Sequence, residues 1–128
     1  VKTMIRLGSE KEELGIVADQ IGSPTYAKDL AADTLKVLLD ENYKWISGDV
    51  FHYSNNSSCS WYEFAQKIFE LTKISVQLKK LKTEDYPTKA NRPKYSLLDK
   101  SKFMHTFNTK IKNWDTSLAK MLTQELAA

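Results

Sequence analysis

The side chains best suited to hold a ligand gather between residues 20 and 26, where an extended run turns into a helical pattern. Gln20, Ser23, Thr25 and Tyr26 supply hydrogen-bonding groups there, directly after the apolar run Ile16, Val17 and Ala18. Gly22 permits close backbone approach, Ser23 reads as a helix N-cap, and Pro24 reads as the first helical residue, where a missing N–H costs nothing. Free helix N–H groups beside several polar side chains suit an anionic or hydroxyl-rich ligand. In open α/β sheets such junctions lie at the carboxyl ends of strands, where ligands bind. The same spacing also describes a capped βα turn that binds nothing. Other reactive residues are sparse. Cys59 stands alone, and His52 and His105 have no metal-ligand spacing. His52 falls inside an expected strand without a catalytic partner.

The elements that must position these residues follow from periodicity. Val1, Met4, Ile5 and Gly8 share a helical face that Gly8 or Ser9 should end, and nothing before Val1 caps it, so the chain reads as cut from a longer protein. Residues 16–19 read as a buried strand. Residues 23–40 read as a helix whose apolar face is Ala27, Leu30, Ala31, Thr34, Leu35 and Leu38. A turn around Ser47, Gly48 and Asp49 leads to 50–54, a β-branched and aromatic run expected as a strand. Asn55 opens the loop that leaves it.

Ser60 and Glu63 form a capping box for a helix reaching Thr72, with Trp61, Phe64, Ala65, Ile68 and Phe69 on its apolar side. Trp61 sits at the mouth of this second junction, either as a core-edge aromatic or as a ligand-facing one. Residues 74–79 alternate as a half-exposed strand. Residues 82–92, including Pro87, read as loop. Arg92 precedes Pro93 and is therefore extended, 95–98 form a short strand, and Asp99 caps the turn after it. A last helix follows Asn113, with a core stripe of Trp114, Leu118, Met121, Leu122 and Glu125 or Leu126.

The composition is that of one soluble globular domain: 128 residues, 41% hydrophobic and 27% charged. No apolar run approaches a membrane span, and no signal-peptide pattern is present. The lone cysteine excludes an internal disulfide and fits a reducing, cytoplasmic setting. The net charge of +3 comes from scattered lysines with one denser patch at Lys79, Lys80 and Lys82. That patch reads as the solvated face of an edge strand, not a nucleic-acid site, because no nucleic-acid motif accompanies it.

The stretch DQIGSPTYAKDLA at 19–31 closely resembles a segment in the C-terminal half of dTDP-4-dehydrorhamnose reductases, which are extended short-chain dehydrogenases. Three more stretches match in the same order: SSCSWYEFA at 57–65, EDYP at 84–87 and RPKYSLLD at 92–99. The resemblance implies an α/β fold, the C-terminal part of an extended short-chain dehydrogenase (NAD(P)-binding Rossmann-like) fold with most Rossmann strands absent. Residues 1–56 would contribute to the Rossmann layer, and 57–128 would form a small substrate-binding subdomain. Carried over to this chain, Gln20, Ser23, Thr25 and Tyr26 would face a dTDP-linked deoxy-sugar, Asn55 and Trp61 would lie near the same cleft, Arg92 would meet the diphosphate, and Ser96 would add a hydrogen bond.

Such reductases use NADPH or NADH, a Gly-rich turn and a Tyr-x-x-x-Lys pair. Here Tyr26, Tyr43, Tyr53, Tyr62, Tyr86 and Tyr95 are followed four positions on by Leu30, Ser47, Ser57, Gln66, Ala90 and Asp99. The glycines at 8, 15, 22 and 48 form no dinucleotide turn. No cofactor is expected to bind this chain alone, no catalytic residue is assigned, and the N-terminal Rossmann half becomes its expected partner. Some family members hold magnesium through a glutamate after the Pro-Thr turn. Lys28 occupies that stretch here and Asp29 is one helix position off, so no metal site is carried over. Three alternatives stay open: part of another extended short-chain epimerase or dehydratase, a sugar-nucleotide-binding module without chemistry, and a remnant without a ligand. Unpaired Rossmann strands would also favour a homodimer.

Overall fold

The computed structural model describes residues 1–44, 48–86 and 88–125, and among them two short ladders carry the β structure. β1 (Glu13–Val17) runs parallel to β4 (Gln77–Leu81), with Glu13 opposite Gln77 and Val17 opposite Leu81. β2 (Ile21–Gly22) is antiparallel to β3 (Cys59–Ser60), and Tyr95 adds a parallel bridge to Ile21. Around them lie α1 (Lys2–Glu10), α2 (Ala27–Leu38), α3 (Trp61–Thr72), α4 (Ser101–Thr106) and α5 (Trp114–Glu125), with a 3-10 turn at Thr83–Asp85. The architecture is mixed α/β with few strands. The expectations at Ser47, Pro87 and Leu126 lie outside the described residues.

The main core forms where Leu14 and Ile16 of β1 meet Ala65, Ile68 and Phe69 of α3 and Leu118 of α5, with Met4, Ile5 and Leu7 of α1 packed against them. Gly8 does not end α1. It is buried against Phe69, and a Cβ there would stand 2.4 Å from a Phe69 ring carbon, so the glycine serves close helix packing. A second cluster joins Val37 of α2 to Phe103 and Ile111, edged by Phe51, Tyr53 and Phe107.

The strand boundaries shift from the sequence reading because a ladder needs a partner. β1 starts at Glu13 instead of Ile16, and β4 is displaced from 74–79 to Gln77–Leu81, since the pairing begins at Glu13 with Gln77. Residues 50–54 form no ladder: no strand among the described residues lies beside them, and Phe51 and Tyr53 are held by aromatic packing instead. The 95–98 segment is reduced to its single bridge.

The α2 reading needs two corrections. The helix begins at Ala27 with Tyr26 as its N-cap residue, and the Ser23 hydroxyl donates to the backbone carbonyl of Asn55 four residues before the helix starts. The expected apolar face also points the wrong way. Leu35 is 58% and Leu38 61% exposed, whereas Asp29 and Val37 are buried and Asp33 is half-buried, at i, i+4 and i+8.

A buried polar contact outweighs the apolar stripe in orienting this helix. The Asn55 side chain, fully buried, accepts a hydrogen bond from Tyr26 N at 2.7 Å. Its amide donates to Ser117 Oγ (3.0 Å), the Lys112 carbonyl (3.1 Å) and Asp29 Oδ2 (3.2 Å). Ser117 Oγ donates in turn to Asp29 Oδ2 at 2.5 Å, and Lys112 Nζ reaches Asp29 Oδ1 at 2.9 Å. One residue further, Asn56 N donates to the Lys112 carbonyl and Trp114 N to the Asn56 carbonyl, so 55–56 is pinned between the starts of α2 and α5. Burial works against the Asp29 charge, but hydrogen bonds from Ser117, Lys112 and Asn55 outweigh it and hold the carboxyl below its ordinary value of 3.8.

Asn55→Ala removes one of three donors to the buried Asp29 carboxylate together with the acceptor of the Tyr26 N–H, and should cost roughly 3 kcal/mol in chemical denaturation. Lys112→Ala, which removes a half-exposed partner, should cost about 1 kcal/mol or less. The Asp29 contribution is fully present above the unfolded-state value and is lost as pH falls through the lower folded-state value. Unfolding free energy should therefore decline on the acid side of pH 4, and the decline should be shallower in Asp29→Asn.

Candidate functional site

The capping box fixes one wall of a cleft. Ser60 N donates to Glu63 Oε2 at 2.7 Å and Glu63 N to Ser60 Oγ at 3.1 Å, so α3 starts at Trp61 and sets that indole on the rim, 52% exposed. Trp61 stacks edge-on with Phe64 at 6.4 Å between centroids, and Phe64 does the same with Trp114 at 5.8 Å. The opposite wall is the 92–98 segment. Ile21 N donates to the Lys94 carbonyl, while Ser96 N (3.0 Å) and Ser96 Oγ (3.2 Å) both donate to the Ile21 carbonyl. Gly22 lies close against this segment: a Cβ there would stand 3.1 Å from Ser96 Oγ, a tight contact.

Between these walls and the 20–25 turn lies a cavity of about 420 Å³. Of the residues expected to bind ligand, Gln20, Ser23, Thr25, Trp61, Arg92 and Ser96 line it together. Tyr26 does not. It lines a separate cavity of about 170 Å³ with Pro24, Thr25, Phe64 and Trp114. Asn55 lines neither, because its side chain is consumed by the network beneath the turn. A third cavity, about 600 Å³, opens over β1 and shares Gln20, Trp61, Phe64 and Arg92 with the cleft.

The electrostatics of the cleft favour recognition over proton transfer. Among its described lining residues Arg92 is the charged one, and no carboxylate stands with it. Glu84 is taken by Lys82 at 3.3 Å, and Asp85 accepts from Lys82 N at 3.2 Å, so the surface ion pair that would explain Arg92 otherwise is not formed. Gln20 Nε2 donates to Thr83 Oγ1 at 3.1 Å, and Thr83 is anchored in turn on Asp19 Oδ1, which fixes the amide in place. The Cys59 thiol is pushed up to about 12 by burial, and next by Glu63 and Asp115, so it is inert as a nucleophile. A guanidinium, several hydroxyls and an exposed indole suit a polar, anionic ligand with an apolar or sugar-ring face.

Two features escaped the sequence reading. Tyr53 and Ser54 line the cleft, at the carboxyl end of the 50–54 run, and the rule placing ligands at strand ends marks that position. Lys100 is buried with Nζ 3.1 Å from the Asn55 carbonyl, and burial lowers its pKa while Asp99 opposes the shift. No pattern signalled a buried lysine.

The chain is 36% identical over 128 residues to the Bacillus subtilis spore coat polysaccharide biosynthesis protein SpsK, covering all of this chain and 43% of that protein. It is 36% identical to a dTDP-4-dehydrorhamnose reductase of Aggregatibacter actinomycetemcomitans, over 92% of this chain and 42% of the relative. The structure of a dTDP-4-dehydrorhamnose reductase from Bacillus anthracis in complex with NADP superposes with a TM-score of 0.85 at 39% identity, over 97% of this chain and 42% of that one. The chain thus spans less than half the length of the relatives it matches. Residues 1–127 match the family model described as the RmlD substrate binding domain, and the chain belongs to that family.

Proposed function

We propose that this chain is the sugar-nucleotide-binding part of a dTDP-4-dehydrorhamnose reductase. The whole enzyme would reduce dTDP-6-deoxy-L-lyxo-4-hexulose to dTDP-L-rhamnose with NADPH or NADH. The observation that carries this reading is the cleft itself: six side chains from three separate stretches converge on one cavity with Arg92 as its charged group. In the proposal Arg92 meets the diphosphate with its planar fork, Trp61 covers a ring, and Gln20, Ser23, Thr25 and Ser96 read polar groups. Tyr26 and Asn55 hold the turn in shape and do not touch ligand.

The chain's own residues do not fit a dinucleotide. Cβ atoms at Gly8 and Gly15 would clash with Phe69 and Leu81, Gly22 serves the Ser96 contact, and Gly48 stands in open space at φ +87°. None of them cradles a pyrophosphate, so no hydride step is derived for this chain. In this reading the cofactor and the proton-transfer residues belong to an N-terminal Rossmann half, and this chain alone is inactive. The outward stripe of Leu30, Leu35 and Leu38 on α2, with exposed Val50 at the start of the unladdered run, supports such a partner: an apolar helix face and an unpaired extended segment are what a sheet layer covers.

Two outcomes test the proposal. In saturation-transfer NMR, dTDP-rhamnose should receive magnetisation from the folded chain, NADPH should not, and Arg92→Ala should abolish the transfer while leaving the melting temperature unchanged. Transfer to NADPH, or transfer to dTDP-rhamnose indifferent to Arg92, contradicts it. Separately, the double variant Leu35→Glu, Leu38→Glu should leave the isolated chain as stable as the wild type. It should abolish association with a separately produced N-terminal half from a relative, measured by analytical ultracentrifugation. A second copy of this chain covering the stripe would show instead as a wild-type dimer that the same substitutions dissolve.

A further inference from the structure

Ser54 is 7% exposed, it lines the cleft, and its Oγ is the buried side-chain polar atom without a hydrogen-bond partner among the described residues. Buried hydroxyls in native proteins are almost always paired, so an orphan on the wall of a cavity calls for a reason. Three polar groups of the adjoining residues and the cleft are engaged with other partners. Tyr53 Oη donates to Asp33 at 2.8 Å, Ser60 Oγ is spent in the capping box, and the Asn55 carbonyl already accepts from both Ser23 and Lys100. The orphan also lies in the stretch whose neighbour, Asn55, is the most constrained residue of the turn, so its backbone cannot drift to find a partner.

We infer that Ser54 is a specificity-determining residue whose hydroxyl hydrogen-bonds an uncharged oxygen, a hydroxyl or carbonyl, of the sugar bound in the cleft. The inference rests on the sugar-nucleotide reading of this site. A serine hydroxyl donates and accepts at once, which matches a sugar oxygen. A phosphate oxygen is drawn to Arg92, the cation among the described residues lining the same cleft. Rotation of Ser54 between staggered χ1 wells moves Oγ about its Cβ without disturbing the backbone, so a hydroxyl closed to water in the free chain can turn to meet a ligand atom. Until it does so, the group is a liability to the fold. This separates a recognition role from a structural one, because removing an unpaired buried hydroxyl does not weaken the free protein.

The test compares wild type with Ser54→Ala by calorimetric titration of dTDP-rhamnose and of dTDP, together with thermal unfolding of both chains without ligand. The expected result is a loss of about tenfold in affinity for dTDP-rhamnose, equivalent to one hydrogen bond, with dTDP binding changed less than twofold and a melting temperature equal to or above that of the wild type. Unchanged affinity for the sugar nucleotide overturns the assignment of Ser54 alone. So does an equal loss for both ligands, or a lowered melting temperature. A wild-type chain that binds neither ligand overturns the sugar-nucleotide reading and this assignment with it.

Discussion

The buried amide of Asn55 is the contact on which the remaining arrangement depends. It ties the first turn of α2, the start of α5 and the 54–56 segment into one unit, its oxygen accepting from Tyr26 N and its nitrogen donating to Asp29, Ser117 and the Lys112 carbonyl. Its own carbonyl holds Ser23 and Lys100. The 23–26 turn therefore stands where it does because a network one layer below it is saturated, and the cleft wall is the outer surface of that network. Partly satisfied, such a network would be worse than an apolar core.

The same contact explains what could be read from the sequence and what could not. The capping box at Ser60 and Glu63 was legible because it is local: the spacing of two residues fixes both partners. Most of the cleft was legible for a different reason, since three of the four ordered stretches that resemble one family return together in space around it. The orientation of α2 was not legible. Periodicity places Leu30, Leu35 and Leu38 on the inward face, but Asp29 finds Asn55 and Ser117 from sequence positions 26 and 88 residues away, and a partnered carboxylate turns the helix the other way. Likewise the 50–54 run has strand composition, yet strand formation needs a neighbour that composition does not supply.

Asn55 and Ser54 exchange the roles that reading by residue type suggests. The amide, the more versatile recognition group, is wholly committed to the fold, and the plain hydroxyl beside it has no hydrogen-bond partner among the described residues. The described residues of the cleft offer groups suited to binding. Its thiol is buried, with a pKa raised by that burial, and its described lining carries a single guanidinium with no carboxylate beside it. Under the proposed function, that arrangement fits a chain spanning about 42% of the length of two reductase relatives.

The central claim, that the cleft between the 20–25 turn and the 92–98 segment is a sugar-nucleotide site, is tested most directly by a crystal structure of this chain grown with dTDP-rhamnose. The account predicts density in that cleft, with the diphosphate on the Arg92 guanidinium, a ring against Trp61, and the Asn55 network unchanged beneath. Ligand density elsewhere on the chain, or in the cleft with Arg92 turned to solvent, would contradict it.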